Sequence, residues 1–473
     1  MAARGTVGDR REQGRAARKE VPRSALGAFE PAAKRPDPIT MLVSQGATRI
    51  QNLLPVRYGR MSESAFSFYR GAALVMASDL SAAPRTSLRV QLCGDAHLSN
   101  FGAYASPERR LVFDVNDFDE TNPGPFEWDV KRLSTSFEIA SRQNGFSDAN
   151  RETIVLTSSV AYRVTMARLA GLGDLDAWYD HIDVDSVADL LRSRTGKKAS
   201  KDARKMDKFL ARARRHNSLQ ALQKLTEVKN GHRRIVSSPP LIVPIDDLMH
   251  GAERDDVISE VRSRLSTYAR SLQSDRRHLL SGFDLVDLAH KVVGVGSVGT
   301  RSWILLMAGR DDDDPLFLQF KEAGPSVLEQ FTERSRYKNM GARVVAGQRI
   351  MQSTSDIFLG WTGSVDLEGQ TRDYYFRQLR DWKISAAVEE LNVEQMVTYA
   401  KLCGATLAKA HARSGDRIAV ASYLGIDDPA DRPNTFDRAM ANFAVSYAEQ
   451  NEQDFTALKT AIADGSVAAT PGV

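Results

Sequence analysis

Gly94-Asp95-Ala96-His97-Leu98-Ser99-Asn100 and Phe113-Asp114-Val115-Asn116-Asp117-Phe118-Asp119-Glu120 set carboxylates and amides between strand-like segments. Unpaired carboxylates are costly to bury, so a fold that carries them must bring them where a cation meets them. The apolar run Leu88 to Leu92 reads as a short buried strand. Leu111-Val112-Phe113 reads as a second, paired with the first through the turn-forming Ser106-Pro107-Glu108. Such a hairpin delivers Asp95, Asn100 and the later Asp cluster to one end of a sheet, where one metal bridges them. Asp and Asn beside Gly and Pro also serve as plain turn formers. The position of the second cluster between two apolar elements favours the metal reading.

Phosphoryl transfer needs little covalent chemistry and much positioning. One carboxylate orients the attacking hydroxyl, and oxygen ligands hold magnesium against nucleotide phosphates. Asp95 and Asn100 stand at the D-x-x-x-x-N spacing of a kinase catalytic loop, in which the Asp is the base and the Asn a metal ligand.

A chain of 473 residues exceeds what one hydrophobic core usually organises, so two lobes or domains are expected. The net charge of +4 makes no general case for nucleic-acid or membrane partners. Cys93 and Cys403, the two cysteines, are too few for a disulfide framework and lack metal-ligand spacing. With no apolar leader and no run of membrane-spanning length, a cytoplasmic protein is expected. Residues 1–40, rich in Ala, Gly, Arg, Glu and Pro, read as a disordered basic tail.

Helical periodicity begins near Met41 and carries Arg57, Arg60 and Arg70, which read as solvent-exposed, carboxylate-paired or phosphate-contacting arginines. After Asn122-Pro123-Gly124-Pro125, a rigid turn, a helix opens at Phe126 and runs through Ala140. Asp129 within it is placed to cap the helix or to accept N–H groups from the Asp95 loop. Between Arg192 and Arg234, Lys197, Lys198, Lys201, Arg204, Lys205, Lys208, Arg212, Arg214 and Arg215 alternate with Met206, Phe209 and Leu210 at helical spacing. This is chiefly an amphipathic helix with a charged outer face.

Gly294-Val295-Gly296-Ser297-Val298-Gly299 follows an apolar run from Phe283. A lone G-x-G-x-x-G is weak, and context decides: a helix follows the glycines in a dinucleotide-binding unit. In a kinase they join two antiparallel strands, and a lysine follows on the third. Here Thr300 to Met307 is strand-like, Arg310 to Pro315 is an acidic turn, and Leu316 to Lys321 is a third strand ending in lysine. Lys321 would pair with nucleotide phosphates beneath the glycine backbone. A helix is expected from Pro325 through Met340, with Glu329 or Glu333 steadying Lys321. Strands near Ile357 to Trp361 and Tyr374 to Leu379 complete a five-strand lobe, and backbone groups around Gln378 to Arg380 are placed to receive an adenine. The helix from Leu402 ends in His411, a packed or capping residue because no Asn follows Asp416 at catalytic-loop spacing.

Arg57-Tyr58-Gly59-Arg60-Met61, Gly94-Asp95-Ala96-His97, Asn116 to Glu120, Trp128 to Leu133 and Ala410 to Asp416 together resemble the bacterial domain of unknown function 2252 family, over about Met41 to Leu458. The same loops resemble aminoglycoside phosphotransferases and choline kinases, with their H-G-D-x-H-x-x-N, I-D-F-D-D and W-D-L-A segments. That resemblance implies Asp95 as base, Asn100 as first metal ligand and Asp117-Phe118-Asp119 as metal cluster, with Asp114 the alternative ligand; Cys93 stands where those enzymes have their first histidine. Motif order is inverted, because the acidic loops precede the glycine loop by about two hundred residues. The expectation is an α+β, bilobal, protein kinase-like fold, circularly permuted, with an antiparallel-sheet nucleotide lobe and a mainly helical catalytic lobe. Residues 41–245 would form the catalytic lobe, 246–383 the nucleotide lobe and 384–473 a helical return. The implied activity is ATP- and Mg2+-dependent phosphoryl transfer to a hydroxyl of a small molecule or protein. Binding of Gly294, Gly296, Ser297, Gly299, Lys321, Glu329 and Gln378 to nucleotide would serve it. A nucleotide-binding regulator and an adenylyl transferase are the alternatives.

Overall fold

A computed structural model describes residues 5–186, 189, 204, 207–208, 210–211, 218–229, 232–292, 294–365, 369–379 and 385–472. Most of the basic run, including Lys197, Lys198, Lys201, Lys205, Arg212, Arg214 and Arg215, lies outside the described residues, as does Arg380. The fold is mixed α+β with antiparallel sheets.

Helix α1 (Val7–Glu20) replaces the solvated tail expected from composition. Thr6 and Asp9 close a capping box at its start. Its small residues serve a close helix contact: a Cβ on Gly14 would stand 2.2 Å from the carbonyl of Ala419. The arginines of this segment are pairing groups, with Arg10 on Asp416 at 2.6 Å, and Arg35 on Asp79 at 2.7 Å and Asp454 at 2.6 Å. Gly14→Val is therefore expected to lower stability by about 1–3 kcal/mol in urea unfolding. A solvated tail would leave the transition unmoved.

Four short helices follow: α2 (Pro38–Gly46), α3 (Leu54–Met61), α4 (Ala65–Gly71) and α5 (Ala73–Ala82). Strand β1 (Arg89–Leu92) runs into the Asp95 loop, β2 (Phe101–Ala105) and β3 (Leu111–Val115) form a hairpin, and β4 (Asn122–Pro125) returns. The pairing differs from expectation: β3 pairs with β2, and β1 pairs with β4, the segment read as a rigid turn. Pro123 and Pro125 are accommodated because this is a two-stranded ladder, whose strands each keep an open edge. Helices α6 (Glu127–Gln143) and α7 (Asp148–Ala170) come next, and β5 (Ile182–Asp183) adds to β3.

Helix α8 (Ser218–Leu225) leads into the hairpin β6 (Thr226–Lys229) and β7 (His232–Ile235). Then β8 (Ile242–Pro244), α9 (Gly251–Ser271), β9 (Asp284–Lys291), β10 (Ser302–Ala308), β11 (Pro315–Ala323), α10 (Met340–Met351), β12 (Gly360–Val365) and β13 (Thr371–Gln378) build the main sheet and its helices. Its order is β12-β13-β11-β10-β9-β8, so among the described residues it has six strands rather than five, and the boundary expected at 245 cuts β8 away from its own sheet. The helix expected over 325–340 is a short 3-10 turn, Val327–Gln330, and α10 begins only at Met340, where the Asn339 side chain caps it. Val327, Leu328 and Phe331 hold only this single turn against the core, and the largely polar run from Thr332 to Lys338 brings too little apolar surface to extend it into a helix.

One sheet face packs Leu305, Leu318, Phe320 and Phe376 on Tyr268 and Val261 of α9. On the other face, Ala289, Ile304, Leu306 and Phe317 are covered by Leu222, Leu225 and Ile235. Farther along that second face the register aligns Ser302 with Lys321, Lys321 with Tyr375, and Gln319 with Arg377. With a side-chain period of two, these polar groups point the same way, toward the acidic loops. Helices α11 (Val393–Ser414), α12 (Arg417–Leu424) and α13 (Thr435–Ala463) close the chain and share a core with α6 and α7 through Phe137, Tyr162, Leu407 and Phe443. Among the described residues no helix is long and apolar enough to cross a membrane.

Candidate active site

The loop from β9 to β10 and the loops after β1 and β3 meet. A cavity of about 130 Å³ is lined by Asp95, Asn100 and Asp117 on one side and by Gly294, Gly296, Ser297 and Lys321 on the other. Lys321, almost fully buried, forms an ion pair with Asp119 and donates to Ser297 Oγ at 3.2 Å. Ser297 Oγ donates in turn to Asp119 Oδ2 at 3.2 Å, and Tyr375 OH to Asp119 Oδ1 at 2.6 Å. Burial alone would raise the Asp119 pKa. The Lys321 ammonium and the hydrogen bonds from Lys321 and Tyr375 outweigh it and hold the carboxyl at about 2. Asp119 and Asp117 both line the cavity; the carboxylate of Asp119 is paired with Lys321, and that of Asp117 accepts from the Asp119 N–H at 3.3 Å.

The glycine loop is fixed from behind by the N-terminal helices. Arg49 donates to the Val298 carbonyl at 2.6 Å, and the Ile50 N–H to the Gly299 carbonyl at 2.8 Å. Gly299 has φ +85°, a conformation glycine adopts without steric cost. It anchors the loop and does not line the cavity. Arg343 on α10 ties the opposite edge, donating to the carbonyls of Thr121 at 2.6 Å, Asp119 at 2.7 Å and Gly324 at 2.8 Å. One buried guanidinium therefore joins the acidic loop to the end of β11.

Asp95 is oriented by Arg132 of α6, whose Nε donates to Oδ1 at 2.6 Å. Arg132 is itself held by the Tyr69 carbonyl at 2.9 Å and by the Tyr69 ring, 4.3 Å away. Burial raises the Asp95 pKa despite Arg132. His97 Nε2 lies 3.7 Å from the second Asp95 oxygen, and burial, with Arg70 and Arg132 nearby, pushes this imidazole well below its usual range. The Asn100 side chain donates from Nδ2 to the Asp95 carbonyl at 2.7 Å, which leaves its Oδ1 as a ligand oxygen.

Asp129 has the supporting place its position suggested: the N–H groups of Cys93 and Gly94 donate to its two oxygens at 2.6 and 3.0 Å. His411 Nε2 lies 3.2 Å from Asp129 Oδ2, and Tyr162 OH is 2.8 Å from His411 Nδ1, so His411 is a packed partner and no second base. Asp129→Ala would strand two buried donors at the start of the Asp95 loop. The expected cost is about 1–3 kcal/mol for each, read by chemical denaturation. Cys93 is buried, with Sγ 3.2 Å from the Asp117 carbonyl, and burial raises its thiol pKa.

Three expectations are corrected. Asp114 is a buried structural group, accepting from Val115 N–H and from Ser353 N–H and Oγ, each at 2.9 Å, and it does not reach the cavity. Glu329 closes a capping box with Ser326 and accepts from Ser335 N–H at 3.0 Å, while Glu333 lies 3.4 Å from Arg89; neither pairs with Lys321. The Gln378 N–H donates to Asp356 at 2.5 Å and the Leu379 N–H to the Phe317 carbonyl at 2.9 Å, so these strand-end donors are already used. Gln378 instead lines a second cavity of about 280 Å³ with Tyr104, Asn116, Gln352, Asp356 and Arg377. Arg377 borders both cavities. Tyr375 and Arg343 were not singled out from sequence; Asp119 was read there as part of the metal cluster and not as the partner of Lys321, and Arg132 only as part of the Trp128 to Leu133 run. The D-x-D spacing around Phe118 and the W-D-x-K-R run carried the signal for these last two.

No three His, Cys, Asp or Glu side chains converge as a ready-made metal cage among the described residues. Magnesium in phosphoryl-transfer sites is commonly held by one or two protein oxygens plus substrate phosphates and water. Asp117 and the Asn100 Oδ1 fit that donor set.

The family model described as an uncharacterized protein conserved in bacteria, DUF2252, matches residues 49–461, and the chain belongs to that family. No curated protein and no solved structure matches it.

Proposed function

We propose that the chain is an ATP- and magnesium-dependent phosphotransferase on a permuted, bilobal, kinase-like scaffold, acting on a hydroxyl of a small molecule or protein. The observation that carries this reading is the convergence of a glycine loop, a third-strand lysine, a carboxylate and two metal-ligand candidates on one cavity, from segments about two hundred residues apart. Bound Mg-ATP would supply the transferable phosphoryl group. Asp117 and Asn100 hold the cation, and Lys321 and the backbone of the glycine loop hold phosphate oxygens. Asp95, fixed by Arg132, accepts the acceptor's proton. The larger cavity beyond Arg377 is the place for the base, whose recognition falls to side chains such as Asn116 and Gln378 because the neighbouring strand-end N–H groups are used. The adjoining apolar strip of the sheet is closed by α8 and β7.

A thermal-shift titration tests this. Mg-ATP is expected to raise the melting temperature of the wild type, and Lys321→Ala or Asp117→Ala to reduce the shift. Mass spectrometry of products then distinguishes transfer of phosphoryl from transfer of AMP.

A further inference from the structure

The cations around the cavity are not all matched. Lys321 has Asp119 and Arg132 has Asp95. The side chain of Arg70, at the end of α4, makes no hydrogen bond or ion pair with a described residue, although it is half-buried and its Nε is fully enclosed. Desolvating a cation without a counter-ion is costly, so its place in the cavity wall calls for an anion that arrives from outside. Its position narrows which one. The guanidinium Nη2 stands 3.7 Å from where a Gly294 Cβ would be, so it lies against the glycine loop. It lines the same cavity as Asp95 and Asp117, and burial lowers its pKa despite the pull of Asp95, Glu389, Asp117 and Glu63. Arg70 therefore borders the loop over the phosphates, the candidate base and the candidate metal ligand at once.

We propose that Arg70 is an arginine finger supplied by the chain itself, which holds the terminal phosphoryl group of the nucleotide as it is transferred. The proposal rests on the phosphotransferase reading and adds a residue to it. In the step, the acceptor oxygen forms a bond to the terminal phosphorus as the bond from that phosphorus to the bridging oxygen of ADP breaks. The acceptor proton passes to Asp95, and ADP leaves with the electron pair. Arg70 gains and loses no proton; its planar fork stabilises the charge on the equatorial oxygens. The glycines at 294 and 296 suit this arrangement. The Arg70 carbonyl lies 3.3 Å from a Cβ position on Gly296, so a side chain there would crowd α4.

The test uses full-length protein and two probes, Mg-ADP and Mg-ADP with aluminium fluoride, the latter imitating the phosphoryl group in flight. Wild type is expected to prefer the fluoride complex. In Arg70→Gln that preference should fall by about ten- to a hundredfold, and Arg70→Lys, which keeps charge but not the fork, should lie between. Melting curves confirm that the variants fold. A preference unchanged in Arg70→Gln, or absent from the wild type, overturns the role of Arg70 alone. Failure of the wild type to bind Mg-ADP at all overturns the phosphotransferase reading and takes the finger with it.

Discussion

Asp95→Asn is expected to lower turnover by about 10²- to 10⁴-fold, with Mg-ATP affinity little changed. The substitution keeps an oxygen for Arg132, so the guanidinium is not stranded, and keeps the loop in which the Asn100 amide donates to the backbone of residue 95 at 2.7 Å. What it removes is the capacity to take a proton. Burial raises the Asp95 pKa above its ordinary value, and Arg132 does not cancel that. A base must be deprotonated to act, so wild-type activity should fall with decreasing pH through an acid limb above the usual carboxylate range. Residual activity of Asp95→Asn should lack that limb. Equal turnover in the two proteins would remove Asp95 from the chemistry. Activity at Asp95→Asn with an unchanged acid limb would assign the limb to another group.

Lys321→Met should cost both binding and stability. The pair with Asp119 is buried on the lysine side, where side-chain exposure is 2%, and partly open on the aspartate side, at 28%. Breaking a buried pair from one side typically costs 3–5 kcal/mol, and with Tyr375 and Ser297 still donating to Asp119 the loss here should sit near the lower end, at about 3 kcal/mol. The pH dependence has a definite sign. Asp119 titrates at about 2 in the folded protein against 3.8 for the free group, so its contribution is present above the unfolded value and is lost as pH falls from near 4 toward 2. In Lys321→Met most of that contribution is already gone. The stability difference between wild type and variant should therefore shrink over this acid window. A difference that stays constant from neutral pH to about pH 2 would show that the pair is not what Lys321 stabilises. Adding Asp119→Asn to Lys321→Met should restore part of the lost stability, because it removes the stranded charge.

Much of the candidate site was legible because it depends on local spacing. Asp95 and Asn100, the glycines and the third-strand lysine are each set by residues a few positions apart, and the strands that present them have plain apolar patterns. What escaped depends on contacts distant in sequence. The partner of Lys321 was sought in the helix expected after Pro325, and it lies in the acidic loop, because β11 runs directly over that loop and the helix starts only at Met340. Asp114 looked like Asp117 in sequence, and the one-residue alternation of β3 turns it toward Ser353 instead. The N-terminal arginines looked solvated because their partners, Asp79, Asp416 and Asp454, lie elsewhere in the chain. The pairing of β1 with β4 was hidden by the two prolines of β4, which argue against a strand unless the ladder is short.

A calorimetric double-mutant cycle is the most direct measurement: Mg-ATP titrated into wild type, Asp117→Ala, Lys321→Met and the double variant. If the two acidic loops and the glycine-loop sheet hold one nucleotide between them, each single change weakens binding and the two are coupled by about 0.5–3 kcal/mol, because metal and lysine act on the same phosphates. Strictly additive losses, or a wild type that binds ATP with no dependence on magnesium, would contradict a single shared site.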